Sequence, residues 1–347
     1  MSKKLHIAIL GCGEIAEEHV KAIKNSQRVE LVGVMDVNLE AAKDLGGRSG
    51  VPAFASAEEV LKIPGLDAVS IAAPHHVHEP LTIQALEAGK HVICEKPMAI
   101  SIAQCDRMID TAKKKGLLLG TWFPARFTYT SEKARELYAA GVIGQVAQTY
   151  INFNTAKAPE YWARGCSGKN RPTDWRAYKA KAGGGVLLMN SVHNIDKLRY
   201  ITGLEVVRVS AEMDTLAQPV EVEDVISVVV RYSNKGIGNY NATTCVKGPS
   251  RDNAGILGTA GQFTLDPTLK VWSEKGAPGI KAGEWVDPPR DQRPQARAMA
   301  ADDYAAAIFD GKTPRISPED GKKAVEIILA AYQSAAEKRP VDLPLKA

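Results

Sequence analysis

At 347 residues the chain is too long for one ordinary hydrophobic core and suits two, since domains run roughly 100–200 residues. With 45% hydrophobic and 24% charged residues it has the composition of an average folded protein, and no apolar run approaches the roughly 20 residues needed to span a bilayer, so neither disorder nor a membrane partner is expected. A net charge of +4, with Lys113 to Lys115 as the longest basic run, speaks against a nucleic-acid partner.

The opening MSKKLHIAILGC has lysines before an apolar stretch and Cys12 after Gly11, as a short lipoprotein signal would. The apolar stretch is too short for such a signal and contains His6, so it reads as a buried first strand. From Leu5 to about Thr121, short apolar runs alternate with amphipathic stretches: LHIAIL, AEEHVKAIKN, VELVGVMD, NLEAAKDLG, DAVSIAA, LTIQALEAG, HVICE, AQCDRMIDTAKKKG and LLLGT. That alternation builds a parallel sheet covered on both faces, an α/β doubly wound unit.

Gly11, Cys12, Gly13, Glu14, Ile15 and Ala16 follow the first apolar strand and open a helix. In a dinucleotide site the first glycine makes the tight turn and the second lets a pyrophosphate approach the backbone. The small Ala16 lets helix and sheet pack while the helix N-terminus faces the anion. Asp36 ends the second strand, where its carboxylate would accept from the adenosine ribose hydroxyls. This favours NAD; no arginine directly follows to hold a 2′-phosphate, although Lys43 and Arg48 keep NADP open. His75, His76 and His78 lie close together, but no cysteine or carboxylate near them completes a familiar metal site, so no metal is expected. The five cysteines, Cys12, Cys94, Cys105, Cys166 and Cys245, are odd in number and lack Cys-x-x-Cys spacing, as suits reduced thiols in the cytoplasm.

After Arg126 the pattern changes. One helix, SEKARELYAAG, leads into longer alternating strands such as QVAQTYINFN, EVVRVSAEMDT, DVISVVVRYS and GIGNYNATTCV, whose period of two suits a large, mostly antiparallel sheet with one open face. An uncovered face suggests a homo-oligomer formed through this sheet. The segment from Lys157 to Gly185 is polar, aromatic and glycine-rich, and too long for a mere connection. Its Tyr161, Trp162, Arg164, Trp175 and Arg176 suit a polyhydroxylated ligand, aromatic rings stacking on C–H faces while arginines hydrogen-bond hydroxyls. Two helices close the chain; the second starts at Ser317-Pro318 with Asp320 in capping-box position.

Three segments together resemble the family of glucose-fructose oxidoreductase, inositol dehydrogenase and MocA: DAVSIAAPHHVHEPLTIQALEAGKHVICEKPMA, GGGVLLMNSVHNIDKLRYITG and DDYAAAIFDGKTPRISPEDGKKAVEIILAAYQSA. The resemblance implies a Rossmann domain over residues 1–123 and a substrate-binding, oligomerising α+β domain over residues 124–347. It implies an NAD(P)-dependent dehydrogenase acting on a sugar, sugar acid or cyclitol. In it, Lys96 of the Glu-Lys-Pro motif and His193 are catalytic, His193 taking the hydroxyl proton while Lys96 polarises the oxygen. Ala73, Pro74, His78, Glu95 and Lys96 join the cofactor site, Pro97 is typically preceded by a cis bond, and Arg126, Asn190 and Asp196 face the substrate. A lysine at the C-terminal end of a parallel strand also fits the crevice in which such sheets bind ligands. One departure stands out: the family often carries a catalytic Asp four residues before this His, and here that position is Met189. Asn190 is adjacent, but in an α-helix it points about 100° away. A glycosidase using transient oxidation by NAD and a non-catalytic dinucleotide sensor are the alternative readings.

Overall fold

Strands β1 (Leu5–Leu10), β2 (Val29–Met35), β3 (Ala53–Phe54), β4 (Ala68–Ile71), β5 (His91–Cys94) and β6 (Leu119–Thr121) form an all-parallel sheet in the order β3-β2-β1-β4-β5-β6. The structure, a computed structural model, describes residues 3–163, 173–250, 252–290 and 292–345. β4 is buried along its whole length, and β5 at all but its first residue, which is why they read as unbroken apolar runs. Between the strands run α1 (Glu14–Asn25), α2 (Leu39–Ser49), α3 (Ala57–Leu61), α4 (His78–Glu87) and α5 (Ile102–Lys115). α1 shows the logic: Ala16, His19, Val20 and Ile23 recur at helical spacing and are buried. Strand order reverses between β1 and β4, so their C-terminal ends open the crevice in which such sheets hold ligands.

A helix, α6 (Tyr129–Ala139), leads into the second sheet; Thr128 caps it, so it starts two residues before the run SEKAR. This sheet consists of β7 (Val146–Asn154), β8 (Val206–Asp214), β9 (Val225–Tyr232), β10 (Ile237–Thr243), β11 (Asn253–Gly258), β12 (Gly261–Thr264), β13 (Lys270–Ser273), β14 (Trp285–Val286) and β15 (Val341–Asp342). Their order is β14-β13-β12-β11-β7-β10-β9-β8-β15, and every named pairing is antiparallel except that of β7 with β10. The alternation in β9 is clear: Ile226, Val228, Val230 and Tyr232 are buried, while Ser227, Val229 and Arg231 are exposed on the open face.

The described residues of the long segment before the glycine run include the short helices α7 (Pro159–Ala163) and α8 (Lys179–Ala182). Then come a π-helical turn, Leu187–Ser191, and its continuation α9 (Val192–Thr202). Of the final helices, α10 (Ala296–Asp310) returns to pack on α1 of the first domain, and α11 (Pro318–Glu337) lies mainly against β8 of the second sheet while also touching α5 and β6. Tyr304 donates to the Thr121 carbonyl at 2.6 Å, and Arg28 makes a two-pronged ion pair with Asp310. The capping box of Ser317 and Asp320 is present as the sequence suggests. Among the described residues no helix is long and apolar enough to cross a membrane, and the described cysteines form no disulfide with one another.

Two glycines are set by close approach. Gly11 has φ +101°, and a Cβ there would stand 2.5 Å from the Ala72 carbonyl oxygen. Gly185 lies against Glu223, whose carbonyl oxygen would be 1.8 Å from a Cβ, and whose buried carboxylate accepts from the backbone N–H groups of Gly185 at 2.5 Å and Leu187 at 3.0 Å. Glu223 therefore caps the start of the segment that carries Met189 and His193. Gly185→Ala is expected to destabilise the protein by about 3 kcal/mol or more, because backbone rather than a flexible side chain must move. Thermal unfolding of the variant would reveal it as a clear fall in Tm, where Gly47→Ala, whose Cβ meets nothing within 4 Å, should have little effect.

Candidate active site

The glycine turn sits at the C-terminal end of β1. The N-cap of α1 is Gly13, which has no side-chain capping bond, and a Cβ there would meet nothing within 4 Å. The first turn of α1 is thus an uncapped, positively polarised end with open space above it, which fits the pyrophosphate of a dinucleotide. Ala16 is fully buried against the sheet, and Cys12 points inward, its Sγ 3.4 Å from the Met35 carbonyl. Asp36 stands beside the turn: Oδ2 accepts from the Cys12 N–H and Oδ1 from the Asn38 N–H, both at 2.8 Å. These bonds hold the carboxylate at the crevice edge with lone pairs to spare for ribose hydroxyls. The cap of α2 is Asn38, not Asp36.

The loops after β4 and β5 form the next wall. Ala73 and Pro74 begin the first loop, and Lys96 follows β5 with a cis bond to Pro97. Two residues expected at the cofactor are turned into the protein instead. His78 is fully buried, its ring nitrogens 2.8 Å from the carbonyls of Pro97 and Ala73, so it staples the two loops together. Glu95 is only 3% exposed, and its carboxylate is occupied by internal donors. His75 is likewise buried, with Nδ1 2.7 Å from the Ala182 carbonyl. Among the described residues no group of three His, Cys, Asp or Glu side chains is arranged to hold a metal.

Lys96 reaches across to the second half of the chain. Its Nζ donates to the Met189 carbonyl at 2.8 Å. That carbonyl lies in the π-helical turn, where backbone pairing slips from four residues to five and the ladder is distorted, a feature that recurs at functional sites. The Met189 side chain faces the other way, into an apolar cluster with Tyr161, Trp162, Ala182 and Val222. Tyr161 directs its hydroxyl at the Met189 sulfur, 3.6 Å away. An aspartate side chain in that cluster would be desolvated against aromatic rings, so methionine suits the position.

His193 follows on α9, its ring edge-on to Phe123 at 6.0 Å between centroids. It lines a cleft of about 600 Å³ with Phe153, Asn190, Asn194, Asp252, Asn253 and Asp266, among others. Asn190 and His193, three residues apart, thus share one wall. Nδ1 of His193 and Oδ1 of Asn190 lack hydrogen-bond partners among the described residues. Burial, reinforced by the neighbouring Lys96 charge, lowers the imidazole pKa to about 3. The neutral-pH transition expected of this histidine is therefore displaced. Lys96 too is lowered, by burial first, with Glu95 opposing.

Arg126 and Asp196 are not at this cleft. They pair with each other, Nε to Oδ2 at 2.9 Å and Nη2 to Oδ1 at 2.6 Å, and both are buried. Arg126 also reaches Asp320 of the α11 cap at 3.0 Å, so the pair ties α9 to α11 instead of facing substrate. His193 and Asp196 are too close in sequence to sit on opposite faces, yet the helix directs Asp196 far enough round to enter the core. Tyr161 and Trp162 are largely buried. Arg176 lies over the rings of Tyr161 and Trp175 at 4.9 and 4.6 Å and comes within 3.8 Å of Glu14 at the glycine turn. Trp175 packs on His75, 4.4 Å between centroids. Arg164 lies outside the described residues. Sequence reasoning missed Asn194, Asp252, Asn253 and Asp266, which come from different elements and form no local motif.

Residues 5–123 match the model described as an oxidoreductase family with an NAD-binding Rossmann fold, and residues 131–264 match the C-terminal domain of the same family. The chain belongs to the Gfo/Idh/MocA family. It is 28% identical to myo-inositol 2-dehydrogenase of Thermotoga maritima, the alignment covering 98% of each chain. With levoglucosan dehydrogenase of Pseudarthrobacter phenanthrenivorans it shares 27% identity over 90% of this chain and 89% of the other. Among solved structures, a levoglucosan dehydrogenase in complex with NADH and levoglucosan superimposes with a TM-score of 0.87 at 25% identity, covering 99% of this chain and 100% of that one. As a Gfo/Idh/MocA protein the chain is an NAD-binding oxidoreductase, and the uncapped α1 turn with Asp36 is where its geometry fits that cofactor.

The lowered pKa of His193 leads to a direct check. Followed by NMR, its ring signals should not titrate between pH 5.5 and 8, and Lys96→Met should raise the pKa by removing a neighbouring positive charge. A normal transition near pH 6.5 in the unmodified protein would contradict the burial seen here.

Proposed function

We propose that the protein is a dehydrogenase that exchanges a hydride between a nicotinamide and a hydroxyl-bearing carbon of a sugar, sugar acid or cyclitol. The observation that carries this reading is the meeting of Lys96, from the end of β5, with the helix segment that bears Asn190 and His193. They meet beside a cleft walled with carboxamides and carboxylates, the groups that bind neighbouring hydroxyls through paired donors and acceptors. Relatives named as inositol and levoglucosan dehydrogenases support the same substrate class.

Bound NAD supplies the hydride acceptor; the chain's residues hold the substrate and manage its proton. The roles of the two central side chains differ from those expected of the sequence. An imidazole with a pKa of about 3 is a poor proton acceptor, so neutral His193 serves as a hydrogen-bonding partner that orients the reacting hydroxyl. Lys96, eased toward its neutral form by burial, takes the hydroxyl proton as the alcohol is oxidised and, as ammonium, returns it on reduction. The Met189 carbonyl holds that amine in place, which gives position 189 a function without a carboxylate. Arg176, between the aromatic insert and Glu14, serves the cofactor side of the site as much as the substrate side. The region from residue 124 onward carries most of the substrate wall. Exposed Val207, Val229 and Ile237 support assembly into a homo-oligomer through the second sheet, and the odd number and scattered spacing of the cysteines suit the reducing cytoplasm.

A panel of aldoses, inositols, uronates and anhydrosugars, followed by reduced-nicotinamide absorbance, should yield turnover with at least one polyol, with NAD preferred over NADP because Asp36 repels a 2′-phosphate. Lys96→Met should keep dinucleotide binding and lose roughly 100-fold or more in kcat. Cofactor binding with no turnover on any member of the panel, or near-normal kcat in Lys96→Met, would overturn the reading.

A further inference from the structure

Beneath Lys96 lies a row of buried polar groups with no part in the chemistry described above. Glu95 Oε1 accepts from Nε2 of His19 at 2.8 Å and from Nη1 of Arg297 at 2.9 Å, and Oε2 accepts from the backbone N–H of Lys96 at 3.0 Å. His19, on α1, is fully buried, and its Nδ1 lies 2.8 Å from the hydroxyl of Ser70 on β4. Ser70 Oγ also accepts from the Trp122 indole N–H at 2.9 Å. Glu95, held ionised beside Arg297, can only accept, so Nε2 of a neutral His19 carries the ring proton and its Nδ1 is left to accept from Ser70. Trp122 donates to Ser70, the Ser70 hydroxyl donates to neutral His19, and His19 donates to an ionised Glu95. Each group is satisfied without an extra proton.

The row draws on four separate parts of the chain. His19 comes from the helix that opens at the glycine turn, Ser70 from the switch-point strand, Glu95 from the Lys96 loop, and Arg297 from the first turn of α10, some 200 residues away in sequence. Burial alone would raise the pKa of Glu95, but the His19 hydrogen bond and the Arg297 charge hold it well below the usual carboxylate value. The groups that bear on the Lys96 amine are Glu95 beside it, Arg297 from α10, Arg176 and Lys157 from the insert, His193 from α9, and His75 and His78 from the loop after β4. Glu95 is the anion named among these described residues, and Arg297 is the cation bonded directly to it.

We propose that Glu95 and Arg297, locked from below by His19, are an opposed pair of positioning residues that fix where Lys96 stands and which protonation state it prefers. This rests on the assignment of Lys96 as the proton-transfer group. Removing the anion and removing the cation must then act on Lys96 in opposite senses, which a merely structural network would not do.

The test is the pH dependence of kcat for alcohol oxidation in the full-length protein with NAD. Glu95→Gln should move the limb governed by Lys96 to lower pH by about 1 unit, the size of shift a close charge produces. Arg297→Gln should move it to higher pH, and Arg297→Lys should bring it back toward the original position. Should Glu95→Gln fail to fold, the two Arg297 variants carry the test alone. Limbs that stay in place, or move in the same direction, while Lys96→Met is inactive would overturn this proposal and leave the Lys96 assignment standing. Normal turnover in Lys96→Met would overturn both.

Discussion

The hydrogen bond from Lys96 Nζ to the Met189 carbonyl joins the parallel sheet to the helix that emerges beside the second sheet, and the rest of the site is arranged around it. At one end, the loop after β5 must stop Lys96 at the crevice, which the His78 staple between Pro97 and Ala73 and the buried Glu95 both enforce. At the other end, the Met189 carbonyl that accepts from Lys96 lies in a π-helical turn, where the regular backbone ladder is interrupted. The glycine run allows that turn to start hard against Glu223 and Tyr332, and Glu223 supplies the acceptor its first N–H groups need.

The same bond bears on Met189, where the family resemblance leads one to expect an aspartate. The main chain at position 189 offers Lys96 a neutral partner, and the side chain is given over to the apolar cluster of the insert. The electrostatic consequence falls on both neighbours. Lys96 and His193 sit close together, both burdened by burial, with Glu95 the nearby carboxylate that favours their charged forms. This is the basis on which the proposed mechanism gives the proton transfer to the amine and leaves the imidazole neutral.

Much of the fold was legible because it depends on local pattern. Continuous apolar runs between amphipathic helices marked the parallel sheet, and period-two polarity marked the strands of β7 to β10. Periodicity carries no strand direction, so the parallel pairing of β7 with β10 was not readable, nor were short strands such as β14 and β15. In the site, Gly11, Asp36 and Lys96 could be placed from their positions at strand ends. That Arg126, Asp196, His78 and Glu95 are buried and bonded within the protein was not legible, because charged and polar side chains in a motif serve as readily to satisfy one another in the core as to meet a ligand. Conversely, His19, Arg297, Asp252 and Asp266 carry no local signature because their partners lie far away in sequence.

The central claim is that hydride passes between substrate carbon and nicotinamide where Lys96 meets α9. It is tested most directly by tracing the transferred atom. The polyol turned over fastest, deuterated at the carbinol carbon that is oxidised, is incubated with NAD and the protein, and the reduced cofactor is examined by NMR. The account predicts deuterium on one face of nicotinamide C4, in amounts equal to the ketone formed. Product formed without deuterium in the cofactor would contradict it.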